Sequence, residues 1–403
     1  MHKRFFLPML SIAAALVAFS SFDASGETTK LTGGAYHTAI IKGDGTLWSW
    51  GYNRFGQLGD GTFDDKPAPV RIGADTDWAE VFPRVYHNLA LKKDGSLWVW
   101  GKNNYGQLGT GRGEEVIAPV RMGADTDWAV IAPGYYHNAA IKKDGSLWMW
   151  GYNYYGQIGD NTRSLISPVV RVGADADWAA AASGWGHTVA IKKDGSLWAW
   201  GDNAYGQLGN GTTAPESKPV RIGTDTGWVA AAAGWRHTVA IKKDGSLWAW
   251  GNNSYNQIGD GSFSDRHEPV MAGSGGWVAV ASGGFHNTAL KSDGTLWAWG
   301  HNKYGQLGDG TTDNRPFPVN IGGGSNWTSV IVGGYHTVAG KKDGTLWAWG
   351  YNNTGQLGDG TTEARSNPVK VGAGHDWAPL NASQRPVQAG TSETFIRAVS
   401  GAL

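Results

Sequence analysis

The chain has 403 residues, equal numbers of Lys+Arg and Asp+Glu (34 each), no Cys, 62 Gly and 23 Trp. A formal charge of zero excludes a general basic field for nucleic acid or an anionic membrane, and the lack of Cys excludes disulfides and a lipid anchor on an N-terminal Cys. Glycine excess can signal disorder, but here it accompanies aromatic and β-branched residues able to bury a large core.

In chain order, the first segment reads as an export signal. Met1-His2-Lys3-Arg4 is a short basic start, and residues 5–19 are mostly apolar, interrupted by Pro8 and Ser11. Ala18-Phe19-Ser20 and Ala24-Ser25-Gly26 both fit small-x-small cleavage sites. The apolar run is short for a membrane span. We therefore expect a signal peptide over 1–26, a secreted or periplasmic protein, and no membrane span after cleavage. An uncleaved anchor is the alternative.

From there the chain repeats. Asp-Gly-Thr/Ser-Leu-Trp-x-Trp-Gly occurs seven times, starting at Asp44, Asp94, Asp144, Asp194, Asp244, Asp293 and Asp343, with steps of 50 and one of 49. His37, His87, His137, His187, His237, His286 and His336 keep the same beat. So do lone tryptophans at 78, 128, 178, 228, 277, 327 and 377. With Trp185 and Trp235 these account for every Trp, so no second domain stands apart from the repeat.

The fourth copy shows the unit. Residues 177–182 and 187–191 are short apolar runs; Asp194-Gly195 is a favoured tight-turn centre. Residues 196–200 form the return strand. Residues 219–222 form a fourth strand, opened by Pro219 where no ladder donor is lost. In the return strand Leu197 and Ala199 point one way and Trp198 and Trp200 the other. A small sheet apolar on both sides must be covered twice, and neighbouring sheets around an axis do this. The expected fold is all-β: a seven-bladed β-propeller of four-stranded antiparallel blades over 27–378. Copies one and seven keep the same landmarks, which argues for a closed row over an open one with polar caps. Residues 379–403 read as a partial eighth repeat. Glu393 stands where His is due, and Ser400-Gly401 replaces Asp-Gly. This segment either closes the ring or is a tail, and residues 30–41 compete for the same place.

The motif carries a resemblance. Gly184-Trp185-Gly186-His187-Thr188, Leu197-Trp198-Ala199-Trp200-Gly201-Asp202-Asn203 and Gly206-Gln207-Leu208-Gly209-Asn210-Gly211-Thr212 resemble the signature of the regulator-of-chromosome-condensation repeat family. The likeness spans about residues 31–378. It implies a seven-bladed propeller, with kelch repeats a weak second. It also brings in guanine-nucleotide exchange on a small GTPase. That activity relies on features projecting from the propeller, for which the near-constant spacing leaves no room.

Candidate chemistry is sparse. Seven histidines on a circle do not converge as metal ligands must; each is expected to hydrogen-bond within its blade or to the next. The Gly-Asp-Gly-Thr loops lack the calcium-loop pattern, and no helix follows them to receive a phosphate. There is no Gly-x-Ser-x-Gly and no unrepeated carboxylate pair. No cofactor, metal or catalytic site is expected, and the chain reads as a non-enzyme.

Recognition belongs where copies differ. An aromatic residue sits one or two positions before each His: Tyr36, Tyr86, Tyr136, Trp185, Trp235, Phe285 and Tyr335. It lies at a strand entrance near one rim, where it either packs the loop crowns or meets a ligand or partner. A second aromatic recurs as Phe55, Tyr105, Tyr155, Tyr205, Tyr255 and Tyr304, with Thr354 the exception; its regularity suggests packing. Stretches such as 63–66, 213–218 and 263–268 vary from copy to copy and read as exposed loops. The expected function is a non-catalytic, monomeric binding scaffold for a protein or cell-surface partner, with a lectin as the alternative. N-terminal sequencing of the exported chain is expected to begin near Ser21 or Glu27; an intact Met1 on the exported protein would overturn the signal reading.

Overall fold

The computed structural model describes residues 30–111, 113–371 and 396–397. Seven antiparallel four-stranded sheets follow one another along the chain, over 30–72, 78–121, 128–171, 178–221, 228–273, 277–321 and 327–370. Each is a meander, with strands paired in sequence order. No helix occurs among the described residues, and so none there is long and apolar enough to cross a membrane.

Blade four shows why these residues make this unit. Its strands are Trp178–Ser183, His187–Lys192, Leu197–Gly201 and Glu216–Arg221. The Asp194 carboxylate accepts the Ser196 N–H at 2.9 Å and its hydroxyl at 2.6 Å, and Trp198 Nε1 donates to Ser196 Oγ at 2.9 Å. Gly195 supplies the positive φ of 80° between them. The Asp-Gly-Ser sequence thus fixes the turn and one indole together. The fourth strand differs from expectation: it starts at Glu216, and Pro219 lies inside it. Pro219 falls at an irregularity in the ladder between Ala199 and Gly201, on a strand with a single neighbour, where a missing N–H costs little.

The first strands of the blades form the innermost circle. Each lies beside the first strands of its two neighbours, and Lys30–Gly33 lies beside both Trp78–Pro83 and Trp327–Val332, so the circle closes. Blade one therefore gets its inner strand from its own copy. The expectation for 379–403 lies almost wholly outside the described residues, as does that for 1–26; of the former, Ile396–Arg397 pairs antiparallel with the inner strand of blade five.

Both flanks of each sheet are covered. Leu197, Ala199 and Trp200 are fully buried. Trp200 reaches into blade three, where Nε1 donates to Gln157 O at 2.8 Å and the indole covers Gly159. A Cβ there, at φ 80°, would meet Trp200 Nε1 at 2.7 Å, so only glycine fits. Trp100, Trp150, Trp250, Trp299 and Trp349 donate to the preceding blade in the same way. At the closing seam Thr38 Oγ1 donates to Gln356 O at 3.0 Å, and Gly334 N to Ala35 O at 3.3 Å. The other tryptophan, Trp198, is only partly covered: Trp178 lies edge-on at 6.0 Å, and Lys192 Nζ sits 5.0 Å above it while bridging Asp175 and Asp177. Trp200→Ala is expected to destabilise the fold by about 3–5 kcal/mol in urea unfolding, and Trp198→Ala by markedly less. Equal losses would contradict the seam geometry.

Candidate functional site: an aromatic face over the axis

A meander of four strands puts its first and third loops at one end. On that face the hairpin tips carrying the residues before each His stand nearest the axis, beside the loops that follow each Leu-Trp-x-Trp-Gly. Those second loops are held from within. Asn53 Oδ1 accepts the Leu58 N–H at 2.8 Å, its Nδ2 donates to Asp60 and Thr62, and Gln57 Oε1 accepts the Phe55 N–H. The Gly-Asp-Gly-Thr loops thus spend their polar groups on their own backbone. Phe63 and Phe263, in the copy-variable stretches, stand exposed.

All seven sequence-predicted aromatics are half-buried on this face. The second aromatic of one blade stacks against the first of the next: Phe55 on Tyr86 at 4.8 Å, Tyr105 on Tyr136 at 5.0 Å, Tyr155 on Trp185 at 5.4 Å, Tyr255 on Phe285 at 4.9 Å and Tyr304 on Tyr335 at 5.4 Å. Tyr36 stacks on Tyr86 at 5.8 Å. Trp235 reaches across the axis, touching Tyr135 of blade three at 6.0 Å, Phe285 of blade six at 4.9 Å and Tyr335 of blade seven at 5.4 Å. The mouth of the ring is therefore roofed by rings from several blades. Burial pushes the phenols of Tyr36, Tyr86 and Tyr136 up to about 12, and those of Tyr135 and Tyr335 higher still.

Sevenfold regularity breaks in one sector. Tyr135, Trp185, Trp235, Arg236 and Phe285 line a concave pocket of about 270 Å³. Of the predicted set, Trp185, Trp235 and Phe285 line it and Tyr335 backs Trp235; Tyr36 and Tyr86 stack with each other, and Tyr136 lies behind Tyr135 at 4.5 Å. Tyr135 and Arg236 escaped the sequence reading. Counting columns exposes both: Tyr135 shares the place two before His with Trp185 and Trp235, and Arg236 is the one charged residue immediately before any of the seven repeat histidines. Arg236 stacks over Tyr205 at 4.7 Å and donates from Nη1 to the Tyr205 hydroxyl at 2.7 Å. In that same column Gly186 is buried, and a Cβ there would crowd Asp202 at 3.2 Å and Tyr155 at 3.3 Å.

The sequence matches the RCC1-like domain over residues 129–403, and the regulator of chromosome condensation (RCC1) repeat over 44–91 and 94–141 and again over 29–57. The chain belongs to the RCC1-like family. Among curated proteins it is 41% identical over 44 residues to the ultraviolet-B receptor UVR8 of Arabidopsis thaliana, a stretch covering 11% of this chain and 10% of the receptor. Among solved structures it is similar to human WBSCR16 (23% identity, 88% of this chain and 99% of that one, TM-score 0.75). It is likewise similar to yeast RCC1 (Prp20) bound to Kap60 (18% identity, 98% and 97%, TM-score 0.75). At such identities these likenesses concern the fold.

In this RCC1-like propeller the seven histidines are fully buried. His37 Nε2 meets Asn88 Oδ1 of the next blade at 2.9 Å, while Asn88 Nδ2 donates to Gln57 O at 2.7 Å. His137 Nε2 meets Thr188 Oγ1 at 3.0 Å, while that hydroxyl donates to Gln157 O at 2.8 Å. His87, His187, His237 and His286 are paired in the same way, and since each partner oxygen must accept, these six imidazoles carry their proton on Nε2. The Nδ1 atoms have no partner, so a second proton would be buried unpaired. Burial accordingly holds His37 and His237 down at about 4 and His87, His137, His187 and His336 at about 3. Among the described residues no three His, Asp or Glu side chains gather as metal ligands.

The unfolded chain takes up these protons near pH 6.5, whereas the folded one refuses them until about 4 or 3. Stability from the histidines is therefore complete above pH 6.5 and is lost as pH falls toward 4, by up to about 1.4 kcal/mol per pH unit per histidine. The melting temperature is expected to fall steeply between pH 6.5 and 4, and less steeply in His187→Gln. A flat profile there would refute the neutral, seam-bridging role.

Proposed function

We propose that this RCC1-like chain is an exported, monomeric, non-catalytic scaffold that engages a protein or cell-surface partner through its aromatic face. The observation that carries this reading is the pocket of Tyr135, Trp185, Trp235, Arg236 and Phe285 at the centre of that face. Aromatic residues and arginine are the side chains that anchor interfaces, because they bury much area at little entropic cost. On the opposite face the Trp–Lys pairs of blades two to five are bridged to Asp, as Lys92 is to Asp75 and Asp77. Protein binding by the fold is supported by the yeast relative, whose structures carry Kap60 and were studied for binding to Gsp1p and histones. The strongly shifted imidazoles are committed to seams between blades, which supports a binding role over catalysis. A sugar ring is the second reading, favoured by the indoles of Trp185 and Trp235 at one concavity.

Crosslinking the mature chain to intact cells of its source tests the proposal. Tyr86→Ala/Trp235→Ala is expected to lose capture about tenfold or more, as for a hot-spot pair, while Lys93→Glu/Lys193→Glu on the opposite face keeps it. Capture indifferent to the aromatic pair would reject the proposal.

A further inference from the structure

We infer that the pocket of blades three to six takes a carboxylated sugar ring, a hexuronic acid unit of an acidic glycan, with its C–H face against the aromatic walls and its carboxylate on Arg236. This names the ligand class of the aromatic face and rests on that face being the binding surface.

Charge points to an anion. The Arg236 guanidinium lies over Tyr205 and, at 5.7 Å, Trp185. Its single hydrogen bond within the described chain goes to the Tyr205 hydroxyl, and no described carboxylate lies within 4 Å of it. Arginine has five N–H groups in a planar fork suited to a carboxylate, so the pocket wall offers a held, half-buried cation with donors to spare. The nearest acidic neighbour, Asp202, does not line the pocket; it is buried and accepts the Ala204 N–H at 3.2 Å.

Size and hydrogen-bonding character point to a sugar. A volume of about 270 Å³ suits one or two sugar rings. Among the lining side chains Arg236 and Trp185 offer N–H donors and none offers a carboxylate or amide oxygen, while Trp235 Nε1 is buried and the Tyr135 hydroxyl donates to Tyr136. A peptide brings one N–H for every C=O and would leave donors unmet. Sugar hydroxyls rotate to accept, and a carboxylate only accepts, so an acidic sugar matches a largely apolar wall whose polar side-chain groups are the donors of Arg236 and Trp185. Aromatic rings then cover its apolar C–H surface.

The test is titration of the full mature chain, followed by tryptophan fluorescence and calorimetry, with tri-uronates (galacturonate, glucuronate and mannuronate) and their methyl esters. The ester keeps the ring and removes the charge. At least one acid trimer is expected to bind about tenfold or more tightly than its ester, a difference set by one charge-assisted contact. Arg236→Gln is expected to erase that preference while leaving residual ester binding. Trp185→Ala is expected to lose both, and Lys193→Gln on the opposite face to change neither; melting temperatures confirm that the variants fold. Absence of binding by every acid, or equal binding of acids and esters, overturns the inference. In that event crosslinked capture that still depends on Tyr86 and Trp235 leaves the binding-face reading intact, whereas capture that ignores them removes both.

Discussion

Everything here depends on a seam. A blade apolar on both flanks has no stable existence in water by itself, and its neighbour must supply the cover. The seam achieves this with one indole per blade. Trp200 lies over Gly159 and donates to Gln157 O; the same carbonyl accepts Thr188, which in turn accepts His187's counterpart in the preceding blade, His137. One carbonyl, one indole, one hydroxyl or amide and one imidazole thus form a small buried network, repeated at the six interior seams. The glycine beneath the indole and the histidine behind it recur because the network leaves no room for alternatives. Neither is a sign of ligand chemistry.

That network also explains what could be read without coordinates. Side-chain alternation in the Leu-Trp-x-Trp-Gly strand dictated two apolar flanks, and two apolar flanks dictated a ring. The Asp-Gly turns, the strand order and the family resemblance followed from the same short stretches. Strand edges were less legible. Pro219 seemed to open the outer strand, yet that strand begins three residues earlier, because an edge strand tolerates a missing donor inside its length.

The candidate site was legible in kind but not in extent. Seven aromatics before seven histidines marked one face, and all seven lie there. Which of them line a pocket depends on distances across the axis, between residues a hundred positions apart such as Tyr135 and Trp235. No repeat-by-repeat reading contains that information. Arg236 was equally hidden, since a lone charge in one copy looks like surface variation until its Tyr205 stack and its place in the pocket wall are seen. A regular scaffold thereby carries an irregular sector.

The way the circle shuts has its own consequence. Every described blade is built from one uninterrupted stretch, and blade one draws its inner strand from Lys30–Gly33 with no strand lent from blade seven. The join between blades seven and one keeps two contacts of the interior joins, with Thr38 on Gln356 and the Trp50 indole against Gly358, but not the imidazole contact, since His336 Nε2 has no partner. Such a ring has no privileged origin. Cutting it between any two blades and linking the present ends would preserve each sheet and merely relocate the one interface that no peptide bond spans, so the order of copies is a matter of genetic layout while the angular position of the Trp–Arg sector is set by the circle itself.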